Sequence, residues 1–507
     1  MTRALAVFLL LAIGCGDCRD SPEPEEAAEA PEAETPLAPA TIARPEGLTL
    51  ELCTMASRAR LHAALGAPGA LPAADAREVV RPLAPELADA VAPDAAYCEL
   101  TLGDERVVAV DGAPEGRGEP GGPGGGRWLG ETRARVGDTL VVGTSRAAVE
   151  RAGAYAARVA LGDRAAENDE DAAVQLVVPG RFLTGELRDD ARTTAAEWER
   201  HGRVNIAREA SRHAEPPELG DPTAALVRVA ELLGLGVEAL GDVGDLRARV
   251  RAGERTVDAE VHLAVTPGSA LAERMGTWPS APAELSTLPR GTALAYFRAG
   301  LADGEDTLTE SLVAIAGDRL RPTEREALEA VSDAVRARPR TLAIGGTEHG
   351  GFALWRSRGA DLAAVAAPLR AAFGRGYLAT LAATATGCAD AGARLAGRPA
   401  RCPEAPVSAL RGSTFVVAPA GDPLLLDDGA ADEALAALAD AEPVVAAWVL
   451  VPSSLPAAAR LVAPLGALGE VPGSGALVVT LRTTSGGLAL RLRGTTDALG
   501  TLLALIG

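Results

Sequence analysis

Residues 45–52 read PEGLTLEL, and residues 289–297 read PRGTALAYF. Each is a Pro-x-Gly punctuation followed at once by an alternating apolar run, the pattern of a turn feeding a half-buried strand. The two copies lie 244 residues apart. At the same offset Asp89-Ala90-Val91 recurs as Asp333-Ala334-Val335, and residues 100–110, LTLGDERVVAV, lie over residues 344–354, IGGTEHGGFAL. Both longer stretches read as two short strands joined by a polar turn. Further along, residues 137–152 match 412–427, residues 174–183 match 446–455, and Leu240-Gly241-Asp242-Val243 matches Leu468-Gly469-Glu470-Val471. Each of the last pair opens a run of two strands and a helix, residues 246–275 and 476–503. These later matches keep the order of the first but not the 244-residue offset, as insertions between anchors would require, and a preserved order of matches is what a duplicated unit leaves behind.

The expected architecture is therefore α+β: two internally duplicated halves, residues 47–284 and 285–507, each a largely antiparallel sheet with packed helices. Strand patterns come in hairpin pairs and do not alternate with single crossover helices, which disfavours a parallel sheet. Insertions interrupt the alignment. The first half gains a helical stretch at about 184–236, and the second a helix at 359–373. Thr323 and Glu326 have the spacing of a capping box after Pro322.

The chain opens with Arg3 and a ten-residue apolar run, Ala4 to Ile13. Ten residues rise about 15 Å as a helix, half of a bilayer, so the run reads as an export signal and not as a spanning helix. Ala12-Ile13-Gly14-Cys15 resembles the lipobox of bacterial lipoproteins. The resemblance implies removal of residues 1–14, lipid attachment at Cys15 and an extracytoplasmic chain anchored to a membrane. Asp17 would fill the small-residue position before Cys18, so Cys18 does not fit. A plain secretory signal with two incidental cysteines is the other reading of these residues. Residues 19–46 carry six prolines and eight acidic residues. That is too little apolar surface to offset ordering entropy, and residues 15–46 read as an extended tether. Signal, spacer and repeated strand-and-helix units together resemble extracytoplasmic lipoproteins of unknown function from GC-rich bacteria, and that likeness transfers no functional residue beyond Cys15.

Hydrophobic residues make up 48% of the 507 and aromatics only 3%, so the cores must be built from Ala, Val and Leu. All 49 basic residues are Arg, and the net charge is −20, which repels nucleic acid and anionic surfaces. No apolar run after the signal is long enough to span a membrane. Export implies an oxidising compartment. Cys53 ends the first strand and Cys98 begins the next. Their repeat equivalents, Phe297 and Leu342, read as inward-facing too. The expected bridges are Cys53–Cys98 and Cys388–Cys402, with buried free thiols as the alternative.

Chemistry-bearing motifs fail on context. Gly116-x-Gly118-x-x-Gly121 follows a strand but leads into GGPGGGRW, which cannot start the helix that a dinucleotide needs. Glu197/His201 and Glu209/His213 are i,i+4 pairs about 18 Å apart along a helix, too far to share an ion. Asp427-Asp428-Gly429 lacks the alternating oxygens of a calcium loop. No nucleophile elbow, H-E-x-x-H or P-loop occurs. Trp128, Trp278, Trp355 and Trp448 read as core or hairpin cover. The function expected is non-catalytic, with no cofactor and no metal: binding or scaffolding by a lipid-anchored envelope protein. A carrier of apolar ligands in a cleft between the halves is the alternative, and a carboxylate-based hydrolase the third reading. Partners are the membrane, through the lipid, and a protein or apolar ligand.

Overall fold

The computed structural model describes residues 42–499 apart from short internal stretches, the longest being 164–171, 211–221, 302–312, 426–434 and 456–474. The signal, Cys15, Cys18 and most of the tether lie outside the described residues. So do Gly116, His213, Asp427 to Gly429 and the 468–471 repeat anchor. The protein is mixed helix and sheet, with its main strands joined by antiparallel pairings. It divides into two compact units. The N-terminal unit takes the described part of Cys18–Leu183 together with Gly244–Val261, and the C-terminal unit takes Thr184–Val243 and His262–Gly507.

In the N-terminal unit the strands are β1 (Leu48–Thr54), β2 (Tyr97–Leu102), β3 (Glu105–Asp111), β4 (Arg127–Gly130), β5 (Arg133–Val136), β6 (Thr139–Gly143), β7 (Ala172–Val178), β8 (Val243–Ala252) and β9 (Thr256–Val265), whose last four residues fall to the C-terminal unit. From β5 the strands lie in the order β5–β6–β3–β2–β1–β7–β8–β9. Helix α1 (Arg58–Leu65) follows β1. Helices α2 (Ala76–Val80) and α3 (Pro85–Ala88) cover one face, where Val79, Val80 and Val91 meet Tyr97, Val108 and Leu140. Asp75 caps α2 by accepting from the Arg77 N–H. Helix α4 (Arg146–Tyr155), capped by Ser145, covers the other face with Val149, Ala152 and Tyr155. Alanine at these contacts lets helix and sheet approach closely, which offsets the scarcity of aromatic volume.

The C-terminal unit has strands β10 (Thr292–Arg298), β11 (Arg340–Thr347), β12 (Gly350–Ser357), β13 (Pro406–Arg411), β14 (Thr414–Pro419), β15 (Ala446–Leu450), β16 (Leu477–Thr484) and β17 (Gly487–Thr495). They lie in the order β13–β14–β12–β11–β10–β15–β16–β17. Position by position this is the order in which the N-terminal strands are joined. The first strand of each sheet also carries a register shift near its start, between Leu48 and Leu50 and between Thr292 and Leu294. The inserted helices α5 (Arg188–Ala210) and α6 (Pro222–Ala239) pack on each other. Helix α7 (Ala270–Thr277) follows, capped by Ser269. The rest are α8 (Pro322–Val335), α9 (Leu362–Ala372), α10 (Tyr377–Thr386) and α11 (Ala391–Leu395). No helix among the described residues is long and apolar enough to cross a membrane.

Helix α8 does start at Pro322, but its N-cap is Arg321 and its third residue Glu324 returns the capping bond, so Thr323 and Glu326 are not the box. Leu342 does not face inward. Phe297 lies opposite Thr341, one residue earlier than the constant offset implies, and a one-residue slip moves a side chain to the opposite face.

Candidate functional site

On the C-terminal sheet both faces are apolar. One face sends Ala295, Phe297, Phe352, Leu354, Val416 and Val449 into a buried core with Leu285, Leu288 and Val444. The alternate residues of the same strands form two rows across the other face. The strand pairings set Phe415, Trp355, Leu342, Tyr296, Trp448, Val479 and Leu492 in register, each directly opposite the next. Beside it run Val417, Ala353, Ile344, Leu294, Leu450 and Leu477, again each opposite the next. Seven strands at about 4.8 Å spacing make the first row roughly 29 Å long.

These rows line a groove of about 680 Å³, and none of its described lining residues is charged. The volume falls within the range of drug-sized ligand sites. Most of the lining is half-buried, and Leu294 keeps 38% of its surface exposed. Tyr296 and Trp448 meet at 5.8 Å between ring centres, tilted by 41°. At the β12 end, Trp355 and Leu410 pack under Val331 of α8 and Leu362, Val365 and Leu369 of α9. The Trp355 Nε1–H is buried and has no acceptor. An unmatched buried donor of this kind costs about 1–3 kcal/mol.

Trp355 and Trp448, expected as core or hairpin cover, line this face, which was not expected as a site. The signal was present in the strands themselves. FALW, FVV, AAWVL and LVV are continuous apolar runs, which mark strands that are dry on both faces. By contrast Trp128 is a core residue beneath the Arg146 guanidinium, 4.3 Å from its ring centre, and Trp278 is buried beside Arg298.

Cys53 and Cys98 face each other across β1 and β2 at disulfide distance, with sulfurs 2.08 Å and Cα atoms 4.0 Å apart. The expected Cys388–Cys402 bridge is not formed. The two stand as free thiols side by side in an apolar cluster with Ala382, Ala391, Leu395 and Ala405. Burial, and then the neighbouring Cys402 thiol, push Cys388 up and disfavour its thiolate.

The other candidates stay apart. Glu197 and His201 are exposed on α5, where neighbouring residues form other ion pairs, Arg203–Glu199 at 2.5 Å among them. His349 and Glu348 are 3.5 Å apart on the exposed β11–β12 turn. The described residues contain no cluster of His, Cys, Asp and Glu able to hold a metal ion. A charged cluster joins Arg44 and Asp245 at 2.8 Å, and near it Tyr155 donates to Glu51 at 3.0 Å. Burial pushes Asp245 up, but the Arg44 guanidinium and the Gly180 N–H outweigh it and hold the carboxyl below its ordinary value. Glu105 and Glu238 are also held low, Glu105 by the Ser145 hydroxyl ahead of Arg151, Glu238 by Arg192 and Arg188. These shifts favour ionised carboxylates, the opposite of a general acid. No family model, curated protein or solved structure matches the chain.

Proposed function

We propose that this chain is an exported, lipid-anchored binding protein that holds an apolar ligand of the acyl-chain kind on the open face of its C-terminal sheet. The observation that carries the reading is the pair of uncharged apolar rows running across seven strands. A single leaflet of a bilayer is about 15 Å of hydrocarbon, so one acyl chain fits within the row length. Each buried methylene contributes about 0.8 kcal/mol, which makes a long chain a tight ligand without any charged contact. The role needs no catalytic group and no cofactor.

Two further parts of the reading have separate support. Duplication of the fold is supported by the shared strand order and by the ordered sequence matches. Export and the anchor at Cys15 are supported by the lipobox resemblance and by the Cys53–Cys98 pair, since disulfides persist in oxidising compartments.

The test is titration of the full chain with a fluorescent fatty acid. Saturable binding should weaken at least tenfold in Ile344→Asp, which puts a charge in the middle of the groove on its solvent-facing side. Binding of the same strength in that variant would overturn the reading.

A further inference from the structure

A second cleft lies among the helices of the C-terminal unit. It has a volume of about 340 Å³ and is lined by Arg321, Arg370, Arg375 and Arg398, with Thr323 among them. The four arginines come from separate places: the N-cap of α8, the last turn of α9, the α9–α10 loop and the segment after α11. Elsewhere guanidiniums meet carboxylates, as in Arg106–Glu99 at 2.5 Å and Arg192–Glu238 at 2.9 Å. None of these four has an ion pair among the described residues, in a chain with 69 acidic residues and a net charge of −20. The Arg370 Nε is buried and without a hydrogen-bond partner. Arg398 donates to the Gly374 carbonyl at 2.5 Å, which fixes its head at the rim.

The buried carboxylate beside the cleft forms no ion pair with them. Glu324 is wholly buried, and its two oxygens accept from the Arg321 N–H at 2.9 Å and the Leu378 N–H at 2.8 Å. Four like charges lining one cleft repel one another, and an anion between them relieves that repulsion. The planar fork of Arg matches phosphate oxygens two at a time. Thr323, in the first turn of α8, adds a hydroxyl and a helix-start N–H on the same side.

We infer that this cleft binds a phosphate group, held by Arg321, Arg370, Arg375 and Arg398. The site is distinct from the apolar groove and does not depend on it. The group comes either as a free anion or as the headgroup of a phospholipid.

Calorimetric titration of the full chain in low-salt, phosphate-free buffer tests this with three probes: inorganic phosphate, pyrophosphate and monomeric dihexanoyl phosphatidylglycerol. Arg370→Gln and Arg375→Gln should each weaken binding about tenfold, the loss of one charge-assisted contact. Arg60→Gln, an exposed arginine of the N-terminal unit, should leave it unchanged. Arg375 is exposed, so its replacement reports on binding without disturbing the core. Binding of the free anions assigns a soluble source, and binding of the phospholipid alone assigns a headgroup; both support the site. No binding of any probe overturns it. So does binding unaltered in both Arg variants, including phospholipid binding that only Ile344→Asp abolishes.

Discussion

Cys53 sits directly opposite Cys98 in the β1–β2 ladder, and that register position makes the pair possible. The residues between them form a loop with a sequence separation of 45. On the chain-entropy account, closing a loop of that length removes about 4 kcal/mol of unfolded-state freedom. The Cys53→Ala/Cys98→Ala variant should therefore be about 4 kcal/mol less stable in urea unfolding, and a loss under 1 kcal/mol would mean the bond does not constrain the chain. Asp245 gives a pH-dependent case. Its folded pKa is lowered from 3.8, so its contribution is fully present above that value and is lost as the pH falls through the folded pKa. Asp245→Asn should cost about 1.5 kcal/mol at pH 7, with the gap between variant and wild type closing below pH 4. A gap constant from pH 7 to pH 3 would show that the Arg44 pairing is not its source. The cysteine pair was legible because two cysteines at the facing ends of adjacent strand patterns leave little choice. The arginine cleft was not. Arginine is this chain's only strong base and is spread along its whole length, so no spacing marks the four that converge.

Helix α8 shows how an element's start is set by partners that sequence spacing misses. Glu324 caps its own helix at Arg321 and also the start of α10 at Leu378, a residue 54 positions away. The second contact explains why Glu and not a shorter acceptor stands there. It also explains Gly376, whose φ is +107°; a Cβ at that residue would come 2.5 Å from the Glu324 carboxylate. Glu324→Ala strands one buried N–H donor at Leu378 and one part-buried at Arg321, and should cost about 2 kcal/mol. Gly376→Ala should cost about 2 kcal/mol. Because both changes break the same junction, the double variant should lose clearly less than the sum. Additive losses in thermal or urea unfolding would separate the two residues. The sheets carry the same lesson in another form. Strand positions followed from alternation and turn residues, but the apolar character of the second face was masked by its likeness to core. Periodicity reports that a face is apolar; whether helices cover it depends on partners far away in sequence. In the N-terminal unit α2 and α3 supply that cover, and in the C-terminal unit α8 and α9 reach the face at its β12 end.

At the scale of the whole chain, two units with one strand order carry different attachments. The shared order was legible as ordered matches, although the constant offset failed by one residue at β11, enough to turn Leu342 from core to groove. The assignment of the α5–α6 pair to the C-terminal unit was not legible, because a helical insertion carries no mark of the sheet it will join. The proposed anchor makes its own prediction at this scale. A chain held only by lipid on Cys15, through the acidic segment 15–46, has no apolar helix among its described residues to keep it at a membrane once the lipid is gone. Its net charge of −20 would also repel an anionic leaflet. Cys15→Ala should therefore move the protein from the membrane pellet to the soluble fraction after ultracentrifugation. The groove lies some 280 residues further along, so the released protein should bind a fluorescent fatty acid as tightly as the anchored form does. If Cys15→Ala stays in the pellet to the same extent as wild type, the attachment is not at Cys15. If it is released but has lost the fatty acid, the groove depends on the membrane and does not hold its ligand alone.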